Sequence, residues 1–422
     1  ESPEGSRGGG ERTRTYCGAV TSPAKLRDIY FSGPGKSYSC RRHGILTHVI
    51  KKLPLVALIL YRFPDLGRFA ADFLPVEKES AVDISTGFTP LIHAKNLGHQ
   101  LGLNYLYIKN DSVNPTFSFK DRPVSVTTTK ALEFEFDVLA CVSTGNLMGS
   151  VAAHGAKAGM KTMVFYPAYL EQGKILGAAV YGPTMVAVDG TYDQANRFCS
   201  ELADNHRWAF VNINMRPYYA EGSKTLGYEV AEQLGWKAPD HCVVPGASGE
   251  LHTKIWKGLQ EFEDAGLIGK AKTRMHLAQA EGCSPIVQAF EQGSNQVVPV
   301  RPETIAKSLA IGNPAAGPYS LEVLSETNGT GIAAVENTII DGIRLLAETE
   351  GIFTETAGGV VISSLKRLME QGKIGKDEVT VAYITGNGLK TMEAMGDFVE
   401  PVETTPDYET FHTALAASQA GV

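Results

Sequence analysis

Short apolar runs rich in β-branched and aromatic residues recur from Leu103 onward, and this pattern is typical of buried strands. The predicted strands cover residues 103–109, 138–143, 161–167, 184–188, 208–213, 241–245, 275–280 and 380–385. Between some of them, apolar positions three and four residues apart predict helices over 146–158, 192–205, 221–234 and 250–264. This alternation predicts an α/β fold of parallel or mixed sheets with helices on both faces.

The two ends of the chain lack this alternation. Residues 1–14 are rich in charged residues and glycine and lack the apolar stretch of a secretory signal, which predicts a disordered tail or the remnant of a removed leader. Residues 15–82 are predicted to form an irregular, partly helical N-terminal extension. Residues 401–422 are predicted to form a C-terminal tail.

Composition and charge narrow the class of protein. The chain has 422 residues, of which 43% are hydrophobic and 20% charged, as in soluble globular proteins of two or three structural units. The 39 basic residues against 46 acidic ones give a net charge of -7, which argues against a nucleic-acid partner and favours a small molecule. The longest apolar run, residues 53–61, is too short to span a membrane.

Cysteine spacing indicates the compartment. The six cysteines are scattered along the chain without the dense spacing of a disulfide framework, which favours a reducing compartment. We therefore expect a cytoplasmic protein, or one in an organellar stroma if a leader was removed.

Three glycine-containing loops follow predicted strands, at residues 143–146, 245–249 and 385–388. Ligands of parallel α/β folds bind at the carboxyl ends of the strands, where such loops and helix N-termini present free N–H groups. The sequence contains no GxxxxGK[ST] loop, no GxGxxG opening a helix, no GxSxG and no HExxH. This absence argues against kinases, dinucleotide oxidoreductases, serine hydrolases and zincins.

Lys120 stands in an apolar and aromatic setting just before a predicted helix, within the segment KNDSVNPTFSFKDR at 109–122. The SFKDR motif resembles the lysine motif of threonine synthases, members of the tryptophan-synthase-like family of pyridoxal-phosphate enzymes. The resemblance extends over about 83–391, through the segments TGFTPL, VSTGN, VYGPT, RPYYAEGSKT, KIWKG, AKSLAIGNP, EGIFTETAGG and YITGNGLKT in the family's order. It implies a fold type II enzyme with its cofactor in an interdomain cleft, between a large domain of 83–130 and 215–400 and a small domain of 131–214.

The resemblance also implies roles for individual residues toward pyridoxal 5'-phosphate. Lys120 would be the catalytic residue, forming a Schiff base with the cofactor aldehyde and then moving protons on the substrate. Asn146 would bind the ring hydroxyl, and Thr385 would bind the pyridine nitrogen. A glycine loop before a helix suits a phosphate, and the residues predicted to hold the cofactor phosphate are Gly246, Ala247, Ser248, Gly249, Glu250 and Leu251.

The substrate implied by the resemblance is O-phosphohomoserine, a small phosphorylated amino acid that would react with water to give threonine and phosphate. A phosphate needs a cationic, donor-rich pocket, and the predicted substrate-binding residues are Asn114, Ser118, Ser143, Thr144 and Arg216. Two alternatives remain open, since Arg216 can be a surface ion-pair residue and Asn114 can shape the turn before Pro115. A homodimer is also expected, because homodimers are common in this family.

Two departures from the family pattern leave other functions open. Glu250 would place a carboxylate beside the cofactor phosphate, but an acidic residue also suits the first turn of a helix, so we expect it to face solvent. Only Cys17, Cys40 and His43 remain of the relatives' paired CxxC knuckles, so no metal is predicted. The alternatives are a related β-replacement enzyme or dehydratase acting on phosphoserine, serine or threonine, and a cofactor-free scaffold or regulatory protein.

Overall fold

The computed structural model describes residues 66–396 and 401–420, apart from 169 and 171. The predictions for the 1–14 tail, for residues 15–65 of the extension and for Cys17, Cys40 and His43 lie outside the described residues. Within 401–422, predicted as a tail, Tyr408–Ala420 form a helix whose described side chains are mostly exposed.

The described chain forms ten strands. In chain order they are β1 (Leu91–His93), β2 (Leu106–Asn110), β3 (Val138–Val142), β4 (Lys161–Pro167), β5 (Thr184–Val188), β6 (Trp208–Phe210), β7 (His241–Pro245), β8 (Arg274–Ala280), β9 (Gly331–Ala334) and β10 (Thr380–Ile384). They build two sheets. The larger has the order β1-β2-β10-β7-β8-β9, in which only β1 runs antiparallel to its neighbour, and the smaller has the parallel order β5-β4-β3-β6.

The described chain also forms fourteen α-helices. They are α1 (Ala70–Phe73), α2 (Lys95–Leu101), α3 (Asp121–Glu133), α4 (Asn146–Ala158), α5 (Gln172–Ala179), α6 (Tyr192–Asn205), α7 (Arg216–Gly222), α8 (Thr225–Gln233), α9 (Glu250–Asp264), α10 (Pro285–Glu291), α11 (Gly317–Glu326), α12 (Ile339–Glu350), α13 (Thr356–Glu370) and α14 (Tyr408–Ala420). None of the helices in the described ranges is both long and apolar enough to cross a bilayer.

The larger sheet is covered on both faces. Neighbouring residues of β7 point to opposite sides, so that Cys242 packs in one apolar cluster with α9 and Val243 in another with α13. The smaller sheet shows the same division. Leu139 packs with α4 on one face, and Ala140 packs with α6 on the other. The predicted α/β class, with helices on both faces of parallel or mixed sheets, is confirmed.

One predicted helix differs from the structure. The helix predicted over 221–234 is two helices, α7 and α8, separated at Ser223 and Lys224. Gly222 lies so close to the α3 backbone at Arg122 and Pro123 that a side chain there would collide with it. The limits of the two predicted domains stay a prediction, which the separation into two sheets supports.

Candidate active site

Two backbone segments at the edge of the larger sheet hold Lys120 in place. The N–H of Phe119 donates to the carbonyl of Thr385 at 3.0 Å, and the N–H of Asn387 donates to the carbonyl of Phe117 at 3.1 Å. Lys120 is the residue directly before α3, and its side chain makes no capping hydrogen bond to that helix. The predicted lysine therefore lies at the carboxyl end of β10, where ligands of parallel sheets bind.

The side chain of Lys120 is half-buried among aromatic rings. Its Nζ lies 2.6 Å from the hydroxyl of Tyr219 and 4.5 Å from the ring centroid of Phe119. Burial lowers the pKa of Lys120 to about 8, against the carboxylates of Glu250 and Glu355, which raise it. A lowered pKa leaves a larger share of the amine neutral near pH 7, as a nucleophile or base requires.

The loop between β7 and α9 forms a bed of free N–H groups. The amides of Ala247, Ser248 and Gly249 have no acceptor within the described part of the chain. Gly249 has φ of +84°, and a side chain there would meet the Ser320 hydroxyl and the Ala316 carbonyl at 2.6 and 2.8 Å. These amides lie beside the buried Gly246 at the N-terminus of α9, an arrangement that suits an anion.

Glu250 does not face solvent, so that expectation is wrong. Its side chain is 7% exposed, and Oε2 lies 3.2 Å from Nε of Arg216, at the start of α7. A buried carboxylate needs a cationic or donor partner, and α7 supplies one. The next predicted loop residue, Leu251, packs in the apolar cluster behind the loop. Arg216 thus forms its ion pair within the site, with a residue of the predicted phosphate loop.

The loop after β3 reaches across to the larger sheet. Nδ2 of Asn146 donates to both carboxylate oxygens of Glu355, at 2.9 and 3.0 Å. The backbone N–H of Glu355 donates to the carbonyl of Gly386 at 3.1 Å, next to Thr385. The structure therefore brings Asn146 and Thr385, predicted to bind the same ring, to the same place.

The sequence does not predict a role for Glu355 in the site, although Glu355 lies within the segment EGIFTETAGG, which contributes to the family resemblance. Its side chain is buried, and burial raises the pKa of Glu355, while the hydrogen bond from Asn146 lowers it. Nothing in the local pattern distinguishes it from an ordinary acidic residue before a helix.

The other predicted substrate residues differ in what their side chains contact. Ser118 is fully buried, and its hydroxyl has no hydrogen-bond partner among the described residues. Asn114 donates to the carbonyl of Asp111 and accepts from the N–H of Gly87, both at 3.0 Å, which supports the alternative that it shapes the turn. Ser143 accepts from the N–H of Gly145 at 3.1 Å.

Thr144 and Thr385 make no side-chain hydrogen bond that the described residues show. Thr144 is half-buried in the loop before α4. Thr385 is buried at the end of β10, where its carbonyl bonds Phe119. Both hydroxyls are therefore free for a ligand, within the part of the chain that is described.

A buried ionic network, not predicted from the sequence, supports the first turn of α3. Arg122 donates to Asp111 and to both oxygens of Glu229, and Lys109 donates to Glu229 at 2.6 Å. All four side chains are buried.

Asp121, beside Lys120, accepts hydrogen bonds from the N–H and hydroxyl of Thr116 and from the hydroxyl of Ser150. These bonds fix the backbone from which Lys120 projects.

Comparison with known proteins identifies the family. The family model described as "Pyridoxal-phosphate dependent enzyme" matches residues 82–386. The chain belongs to this family. It is 39% identical over 326 residues to a threonine synthase of Methanocaldococcus jannaschii, covering 76% of this chain and 80% of the relative. It is 35% identical over 369 residues to a threonine synthase of Methanosarcina acetivorans, covering 86% and 90%.

Solved structures confirm the fold type II architecture. The processed form of threonine deaminase isoform 2 from Solanum lycopersicum matches with a TM-score of 0.61 and 21% identity, over 79% of this chain and 84% of that one. An L-serine ammonia-lyase from Rhizomucor miehei matches with a TM-score of 0.64 and 19% identity, over 74% and 96%. At these identities, the likeness shows the fold alone.

The prediction of pyridoxal phosphate as the cofactor is confirmed by the family, and the residues present fit this group. The free amides beside Gly249 suit its phosphate, and the amine of Lys120 suits its aldehyde. No cluster of three or more side chains suited to a metal occurs among the described residues.

Proposed function

We propose that the protein is a threonine synthase that converts O-phosphohomoserine and water to threonine and phosphate. The observation that carries the proposal is the half-buried amine of Lys120, with its lowered pKa, in the SFKDR segment at the carboxyl end of β10. The likeness to threonine synthases over most of their length supports the choice among pyridoxal-phosphate reactions.

When bound, pyridoxal phosphate would supply an aldehyde for the amine of Lys120 and a ring that accepts electrons from the substrate. The amides of Ala247, Ser248 and Gly249 would bind its phosphate. Asn146 would bind the ring hydroxyl, and Thr385 would offer a neutral donor to the ring nitrogen. These roles are supported by the free amides and by the convergence of Asn146 and Thr385.

Lys120 is the proton-transfer group in this proposal. Its neutral amine would take a proton from the substrate carbon and later return it. We propose that the hydroxyls of Ser118, Ser143 and Thr144 bind the substrate together with Arg216, while Asn114 shapes the adjoining turn. Arg216 would bind the phosphate of the substrate while it also keeps its ion pair with Glu250.

The ion pair between Glu250 and Arg216 favours a second candidate. Because Glu250 offsets the charge of Arg216, the site is less suited to a phosphate dianion than one with a free arginine. A related enzyme that acts on serine or threonine, by β-replacement or dehydration, would need no such cation.

Product analysis separates the two candidates. The purified holoenzyme is incubated with O-phosphohomoserine, and phosphate and threonine are quantified. A threonine synthase gives them in equal amounts. In parallel incubations with serine or threonine, a dehydratase gives a keto acid and ammonia. This result, without phosphate release from O-phosphohomoserine, would replace the first candidate by the second.

We further propose a homodimer in the cytoplasm. The homodimer rests on the family resemblance. The cytoplasmic assignment is supported by Cys141, Cys199, Cys242 and Cys283, which are all buried free thiols.

A further inference from the structure

Tyr219 lies against the amine of Lys120. It stands three residues after Arg216 on α7, so that both side chains lie on the same face of this helix. Its side chain is buried, its hydroxyl is 2.6 Å from Nζ of Lys120, and its ring centroid is 5.2 Å from the same atom. No other hydrogen bond of this hydroxyl is found among the described residues.

The charges around the pair come from several elements. Glu250 on α9, Arg216 on α7 and Glu355 before α13 act on Lys120. The same Glu250 and Arg216 act on Tyr219, together with Tyr192 on α6 and Cys141 on β3.

These surroundings set the protonation states of the two partners. Burial raises the pKa of Tyr219 well above its usual value, and the charge of Glu250 raises it further. Tyr219 therefore keeps its proton over the range in which Lys120, with its pKa of about 8, gains and loses one. In that range the tyrosine oxygen accepts a hydrogen bond from the lysine ammonium, which is stronger than the bond to the neutral amine.

We propose that Tyr219 is a catalytic residue, whose hydroxyl holds the amine of Lys120 in position and stabilises its protonated form. The proposal rests on the proposed function in so far as Lys120 is the proton-transfer group. When Lys120 takes a proton from the substrate, a C–H bond breaks and leaves its electron pair with the substrate, and the lone pair of the amine forms the new N–H bond. The new ammonium donates to the oxygen of Tyr219, which keeps its own proton.

The test removes one oxygen atom, in Tyr219→Phe. The matched control is Tyr218→Phe on the same helix, whose ring packs on Phe134 at 5.3 Å. The first readout is the rate at which the full-length protein, stripped of cofactor, forms a borohydride-reducible link with added pyridoxal phosphate between pH 6 and pH 10. This rate follows the neutral amine of Lys120, so it reports the pKa of Lys120.

We expect the wild-type rate to rise with a midpoint near pH 8, in line with the lowered pKa. Without the hydroxyl, the ammonium loses an acceptor, and the midpoint of Tyr219→Phe falls by about one pH unit. In the holoenzyme, kcat falls by about 10- to 100-fold, with a change in KM of less than about threefold. Tyr218→Phe keeps the wild-type midpoint and kcat.

A midpoint and kcat of Tyr219→Phe equal to those of wild type would overturn the proposal. If Tyr219→Phe does not fold, Tyr219→Gln takes its place. Because this variant keeps an oxygen acceptor, we expect it to keep a midpoint near pH 8, and a midpoint lowered by about one pH unit or more would count against the proposal. Failure of the proposed function is distinct, because the wild type would then release no threonine and phosphate from O-phosphohomoserine, while its reducible link at Lys120 would still form with a midpoint near pH 8.

Discussion

Glu250 and Arg216 form an ion pair, with Oε2 of the carboxylate 3.2 Å from Nε of the guanidinium, although they lie 34 positions apart in the sequence. The sequence predicts Glu250 beside the phosphate of the cofactor and Arg216 beside the phosphate of the substrate. Because the two side chains are in contact, the negative charge of Glu250 offsets the positive charge of Arg216. The pair therefore sets how much positive charge the site offers to a phosphorylated substrate.

Releasing Arg216 from this pair should strengthen the binding of a phosphorylated substrate. In Glu250→Gln the like charge is gone, and we expect KM for O-phosphohomoserine to fall by about fivefold, equivalent to about 1 kcal/mol for a partly exposed ion pair. The gain should shrink with added salt, because salt screens exposed charges. The control is Glu291→Gln, an exposed residue at the end of α10. An unchanged KM would show that Arg216 does not bind the substrate phosphate.

The orphaned hydroxyl of Ser118 makes a different prediction for stability and for binding. Because the hydroxyl is buried without a partner in the described chain, Ser118→Ala should change the unfolding free energy by less than about 1 kcal/mol. KM for the substrate should nevertheless rise several-fold. Ser150→Ala is the control, since its hydroxyl donates to Asp121 at 2.7 Å and its loss should cost about 1.5–3 kcal/mol.

Urea unfolding and steady-state kinetics on both variants measure these effects. Strong destabilisation by Ser118→Ala would mean that this hydroxyl serves the fold, and an unchanged KM would remove it from the site.

The buried network around Glu229 predicts acid sensitivity. Burial raises the pKa of Glu229, but Arg122 and Lys109 outweigh it and hold the pKa at about 2, against 4.5 for an ordinary glutamate. A lowered pKa stabilises the fold above pH 4.5, and this contribution, on the order of 3 kcal/mol, is lost as the pH falls toward 2.

The urea midpoint between pH 6 and pH 2.5 measures this contribution. Glu229→Gln should lower the midpoint at pH 6, since breaking a buried ionic network costs about 3–5 kcal/mol, and should flatten the decline in acid. Equal declines in the variant and the wild type would assign the acid sensitivity to other carboxylates.

The helices with clear periodicity could be predicted from the sequence with their limits, as α4, α6 and α9 show. Their apolar positions recur at helical spacing, and glycine precedes α4 and α9. Strands β1 and β9 were not predicted, because three or four residues such as GIAA in β9 carry too little alternation to be distinguished from a loop. The break between α7 and α8 depends on contact with α3, which no local pattern reveals.

The residues of the candidate site could be predicted from the sequence where they lie in a recognisable motif. The contacts between residues that are distant in the sequence could not. Lys120, Asn146 and Thr385 come from segments that resemble the family. The pairing of Arg216 with Glu250, and of Tyr219 with Lys120, arises only when α3, α7 and α9 converge. A tyrosine in an amphipathic helix is an ordinary packing residue until its hydroxyl is seen against the amine.

The measurement that tests the central claim most directly is the location of the cofactor. The holoenzyme is reduced with borohydride, digested, and the peptide that carries the reduced cofactor is identified by mass spectrometry. The account predicts that reduction abolishes the visible absorption, that the label lies on Lys120, and that Lys120→Ala carries none. A label on another lysine, or no reducible cofactor in the wild type, would contradict it.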